Sequence, residues 1–397
     1  MKALVVVVAI AMAGCAAAPQ STATPTPIAS ASPIATNSAE SKAADFRIRL
    51  DLLLGEHVMI IAKQSSATAR QAEYTSYLRL LTTNGADLNE IVRSAMGDSV
   101  AARFAQIWSL QNDYLVTYTI GLVTHNKAKA AAAQSGLTGS FVPQFSQFLS
   151  DVTQIPPGLI VPLVTQHELD MKAMLDDQLA RNYPALYADI RTSYAHATQV
   201  GDVIAPRIAG TFPDKFPGNS SSPAVDLRAS LNIRWQEHSY LTTLRTSAIV
   251  GRRQAEQAAA AGALTENSNA LDALLTDLLG ASEAKRFDEV WAAANAAAAG
   301  DSASTTAAQV QRMSNALADA SVAQLARWLV DATDLATDVS SPALEARLEA
   351  LVTVIDKQRS KDWSTLAADD RSAVTATEVV ADLVASAVIA KLPARFG

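Results

Sequence analysis

Residues Arg47 to His57 read R-I-R-L-D-L-L-L-G-E-H, and residues Arg228 to His238 read R-A-S-L-N-I-R-W-Q-E-H. Arg, Leu, Glu and His recur 181 positions apart, as Arg47/Arg228, Leu50/Leu231, Glu56/Glu237 and His57/His238. Leu50, Leu53, Leu54, His57 and Ile61 fall on one face of a helix, which makes that face the one turned to a core. A returning opening helix calls for a search for the rest of a repeat. At an offset of 183 come Asn84/Asn267, Leu88/Leu271, Gly97/Gly280, Arg103/Arg286, Phe104/Phe287 and Trp108/Trp291. At 180 come Gln144/Gln324, Leu149/Leu329, Asp151/Asp331, Pro162/Pro342, Asp176/Asp356, Asp189/Asp369 and Arg191/Arg371. So many matches in order predict a tandem duplication. The repeats span residues 44–217 and 226–397, with a turn-rich linker at 218–225.

Composition agrees with helices. Hydrophobic residues make up 49% of the 397 and charged ones 18%, enough apolar surface for a sizeable core. Gly (16) and Pro (15) are sparse, alanine is abundant, and runs of β-branched and aromatic residues are missing, which favours helix over sheet. The net charge of −7 argues against binding to a nucleic-acid backbone, which needs a basic face.

Each repeat reads as an antiparallel, all-α bundle with short connections. In the first, a long helix is expected from Ala44 to Leu81, stopped by Asn84-Gly85. A short helix from Asp87 to Met96 follows, then one from Asp98, whose carboxylate would cap it, to about Ala133. After a Gly/Ser turn come helices from Phe141 to Thr153, from Leu159 to Ala180, and from Tyr183-Pro184 to about Ile208. Phe104 and Trp108, four apart, stack on one face and recur, so they read as core anchors. Ala373 to Leu392 is apolar but carries Glu378, Asp382 and Lys391, and reads as a buried helix.

The N-terminus has a different character. Lys2 precedes an apolar run, Ala3 to Ala13, of signal-peptide length. Met12-Ala13-Gly14-Cys15 follows, and it resembles the lipobox of bacterial lipoproteins, with Met12 where that family usually has Leu. The resemblance implies a signal peptide at 1–14 and acylation of Cys15, the lone cysteine. It places the protein outside the cytoplasm, with a lipid anchor in a bacterial membrane as its one expected partner. Residues 15–43, almost wholly Ala, Pro, Ser and Thr to Ser41, would be a flexible tether. Each buried acyl methylene contributes about 0.8 kcal/mol, so several chains hold durably.

No G-x-S-x-G, glycine-rich phosphate loop, H-E-x-x-H or C-x-x-C appears, so no enzyme class is indicated. One constellation in the first repeat has the right groups for a metal. His57, His167 and His196 lie on three helices of one bundle, with Glu56, Asp189 and Asp202 as neighbouring carboxylates. Imidazoles with a carboxylate suit a divalent transition metal such as zinc or copper. The second repeat has Arg347 and Ala376 where the first has His167 and His196. Only the doublet Glu237-His238 survives there, so Glu-His reads as a shared internal polar contact and no cofactor is required.

Trp235-Gln236-Glu237-His238, together with His196, Gly201-Asp202 and Phe212-Pro213, resembles an uncharacterised family of bacterial helical-bundle proteins. That family has no activity to carry over, and Tyr194 stands where it has a further histidine. The outline is also loosely similar to ferritin-like bundles, though without their carboxylate motif. The expected function is a non-catalytic structural or binding module of the cell envelope. The alternative is a metal- or small-ligand-binding protein with its site inside the first repeat.

Overall fold

The computed structural model describes residues 39–396. The expected signal peptide, Cys15 and most of the tether lie outside the described residues. Among those described there is no strand, and the protein is all-α. Seven helices form the first half: α1 (Lys42–Ser66), α2 (Gln71–Met96), α3 (Asp98–Val123), α4 (Lys127–Gly136), α5 (Val142–Thr153), α6 (Pro157–Ala180) and α7 (Tyr183–Thr211). Seven more follow: α8 (Pro223–Val250), α9 (Gln254–Leu279), α10 (Ala281–Ala303), α11 (Ala307–Ala318), α12 (Leu325–Thr333), α13 (Thr337–Ser360) and α14 (Leu366–Lys391). A single turn, α15 (Pro393–Phe396), ends the chain.

The helices of the two sets follow one another in the same order, and some of their ends are alike. The Ser41 hydroxyl accepts from the Ala44 N–H at the start of α1, and the Ser222 hydroxyl accepts from the Val225 N–H at the start of α8. Gly97 and Gly280 join the second and third helices of each set with φ of 89° and 88°, a conformation that other residues adopt only with strain. A π-helical stretch precedes the fifth helix in both, at Leu137–Phe141 and Asp319–Gln324.

Several boundaries differ from the sequence reading. The first long helix ends at Ser66, and Asn84-Gly85 lies inside α2. The pair does not break the helix because Asn84 is fully buried, its amide donating to Leu53 O and Glu56, while Gly85 lies against the Trp108 indole. Packing thus overrides the turn preference of Asn-Gly. Asp87 to Met96 is the second part of the same helix. Asp98 is the first residue of α3 and makes no capping bond there. That helix stops at Val123, and α4 begins after His125 adopts a left-handed turn. The Gly/Ser turn before Phe141 is π-helical. At the other end, Ala39 is buried in the second half's core and Ala43 in the first's, so order begins before the expected tether limit of residue 43.

The halves do not stand apart. The largest core runs from Leu54, Trp108 and Phe148 of the first half to Tyr240, Leu244, Leu264 and Val374 of the second. A second core gathers Trp235, Phe287, Trp291 and Trp328. Helix α1 packs on α8, α2 on α14, and α7 on α9. Helix α14 is long and apolar enough to cross a membrane by length and composition, yet here it packs against α8 and α13.

Candidate functional site

The recurring polar residues build the junction between the halves. Glu56 on α1 accepts from Asn84 at 2.9 Å, from the Tyr240 hydroxyl at 2.9 Å, and from Arg371 of α14 at 2.9 Å. Glu237 on α8 accepts from Asn267 at 2.7 Å and from Arg191 of α7 at 2.9 Å. Each glutamate is therefore bridged by an arginine of the opposite half. The opening arginines do the same. Arg47 binds Asp202 of its own half at 2.7 Å and Asp226 of the other at 2.6 Å. Arg228 binds Asp382 of its own half at 2.8 Å and Asp45 of the other at 2.6 Å. These arginine bridges from first half to second each have a mirror from second to first, as in an isologous interface. A buried pair, Lys63 to Asp370 at 2.6 Å, adds one bond without a mirror.

The histidines of the doublets turn away from this junction, into their own bundles. His57 Nε2 lies 2.8 Å from Asn112 Oδ1, with its ring 4.9 Å from Trp108. His238 Nε2 lies 2.8 Å from Asn295 Oδ1, with its ring 4.3 Å from Trp291. As drawn, the amide oxygen accepts, so Nε2 carries the proton and the ring is neutral. Burial pulls His57 down to about 4, and burial together with Arg347 pulls His238 down to about 3. Asn112 and Asn295 escaped the sequence reading, although they too are related by the offset of 183.

The six metal candidates divide among separate tasks. His57, His167 and His196 are neighbours: burial first, then the other two imidazoles, push His167 down to about 3. His57 is committed to Asn112 and His196 Nδ1 to Asp170, whereas His167 Nδ1 is buried without a partner. Glu56 is bound by Arg371 of the other half, and Asp202 by Arg47 of its own. Asp189 is raised to about 6 by burial and by the carboxyl of Asp177, with which it shares a hydrogen bond. Among the described residues no group of three or more His, Cys, Asp or Glu could hold a metal ion. Instead, the residue after His167 is unusual. Glu168, 2% exposed, accepts from the Gln111 amide at 2.5 Å, leaves its other oxygen unpartnered, and is pushed by burial up to about 8.

A cleft opens where the junction's symmetry fails. In the first half Tyr194 of α7 lies between α1 and α8. Its ring presses on Gly55, where a Cβ would stand 2.5 Å from the Tyr194 Cε2, and its hydroxyl bonds Gln236 at 2.8 Å. The corresponding residue of α14 is Val374, and in place of Gly55 α8 carries Gln236. The shorter side chain leaves a cleft of about 460 Å³ bordered by Leu52, Arg49, Gln236, Val374 and Glu378. Glu378, where the first half has Thr198, accepts from Gln236 at 2.9 Å and is raised to about 7, by burial first. The cleft carried no sequence signal beyond the comparison Tyr194/Val374, and Glu378 showed only as a charge within an apolar stretch. Comparison with known protein families, with curated proteins and with solved structures finds no match.

Proposed function

We propose that the chain is a lipid-anchored module of a bacterial cell envelope that binds a small polar ligand and carries out no chemistry on it. The anchor rests on the Met12-Ala13-Gly14-Cys15 lipobox and the Pro/Ser/Thr-rich segment after it. The binding reading rests on one observation, the cleft that is filled by Tyr194 on one side of the junction and open beside Val374 on the other. Its volume suits a small organic molecule. Glu378 in its wall offers a carboxyl that a cationic group would draw into the ionised form, and Leu52 and Val374 offer apolar contact. No general base, nucleophile and oxyanion donor come together there, which favours binding over catalysis.

The test uses the soluble chain with Cys15→Ser. A panel of small amines, including putrescine, agmatine and arginine, is screened by thermal shift and isothermal titration. At least one should bind, and Val374→Tyr, which fills the cleft as Tyr194 does, should abolish it. Absence of binding across the panel, or equal binding by Val374→Tyr, would refute the cleft. The anchor is tested separately, by mass spectrometry of the mature N-terminus. An acylated Cys15 is expected, and an unmodified N-terminus elsewhere would refute it.

A further inference from the structure

Among the described residues Lys63 and Arg347 are the most deeply buried cations, and they differ in their partners. Lys63 has Asp370. Arg347, on α13 and 5% exposed, has no carboxylate. Its guanidinium stacks 5.2 Å from the ring centre of Trp291 and 5.9 Å from that of Trp235. Its Nε–H is buried without an acceptor, and so is the indole N–H of Trp291. Burial alone moves its pKa, down to about 10, so at neutral pH the group stays charged. The acid that serves the first half is missing here. Leu348 stands where Glu168 would be, and Ala294 where Gln111 would be. Beside the guanidinium, His238 is held neutral and brings no competing charge.

A buried ion is retained when something compensates its charge. Two indole faces supply part of that through their ring quadrupoles. Two buried N–H donors with no acceptor, on side chains in contact, call for the rest, and what satisfies both demands is an anion. One guanidinium in an apolar, tryptophan-walled site matches a single negative charge; a dianion would lose too much hydration there. We propose that Arg347 and the Trp291 indole N–H form a binding site for one small monovalent anion, a halide or a short carboxylate. The site belongs to the second half alone, because His167 takes the place of Arg347 in the first.

The experiment is thermal unfolding of the soluble chain in sodium bromide or sodium formate, against sodium gluconate at the same ionic strength. A saturable rise in Tm with bromide assigns a halide site; one with formate alone assigns a carboxylate site. Bromide binding should also quench tryptophan fluorescence with the same midpoint, since two indoles line the site. Arg347→Met should lose the saturable response, and His167→Ala should keep it. No saturable response to either salt, or the same response in Arg347→Met, overturns the proposal. Should Arg347→Met fail to fold, crystals of the parent chain grown in bromide decide: an anomalous peak beside Arg347 supports the site, and its absence overturns it.

Discussion

Replacing Glu168 by glutamine should make the protein more stable, and increasingly so as the pH rises. Glu168 is buried, one oxygen accepts from Gln111, and the other has no donor. Burial raises its pKa from 4.5 to about 8. Below about 4.5 both the folded and the unfolded chain hold the proton, and the group adds no pH dependence. Above that the unfolded chain ionises while the folded one does not. Stability therefore falls by about 1.4 kcal/mol per pH unit until the folded group ionises too, near pH 8. The window spans about 3.5 pH units, so the loss sums to about 5 kcal/mol as an upper bound. Relaxation of the site and water entry would reduce this, and half of it is ample to measure. Glutamine keeps the shape and the acceptor toward Gln111 and has no proton to lose. Urea unfolding at pH 5, 6, 7 and 8, followed by tryptophan fluorescence, gives the difference between variant and parent at each pH. That difference should widen with pH. Parallel curves across the range would refute the burial of a neutral Glu168.

Two further substitutions probe the junction. Asp51 is fully buried and pushed well above its ordinary pKa by burial, then by Asp202; its counterpart Asn232 donates to Asp382 at 2.7 Å. A protonated Asp51 imitates that amide, so Asp51→Asn should stabilise the chain progressively above about pH 4, where the unfolded aspartate ionises; a pH-independent effect in calorimetry would contradict this. Asp370→Ala leaves Lys63 charged and buried, and should cost about 3–5 kcal/mol, whereas the pair Lys63→Met with Asp370→Leu should recover most of it; denaturant unfolding of all three reads the difference.

Helical class could be read from the sequence because it rests on local patterns. Apolar periodicity, the Gly97/Gly280 stops and the repeated Phe-x-x-x-Trp spacing are set within a few residues. What could not be read depends on contacts across more than a hundred positions. Asn84-Gly85 looks like a helix stop until Asn84 is seen holding Glu56. Glu56 looks like a partner for His57 because they are adjacent, but adjacent residues of a helix point in different directions. The glutamate turns to Arg371 of the other half and the histidine to Asn112. Spacing alone could not tell that His196 is spent on Asp170.

This division bears on where function lies. In an isologous junction a residue that recurs is used twice, once from each side, so its retention is accounted for by the contact itself. Arg47 with Arg228, Glu56 with Glu237 and Arg191 with Arg371 are of this kind. Function that needs only one copy has to reside where the halves depart from each other. Departures with polar consequences include Tyr194 against Val374, Thr198 against Glu378, and His167-Glu168 against Arg347-Leu348. The first two open a cleft and place a carboxyl in its wall; the third exchanges a neutral buried acid for an uncompensated buried cation. Packing alone gives no reason to place a glutamate or an arginine where the sister half is stable with threonine or histidine, since each buried charge costs free energy unless it is paired. A ligand at either position would supply the missing partner. Restoring the symmetry, with Val374→Tyr at the cleft and Arg347→His in the second bundle, should therefore spare the fold while removing one binding event each.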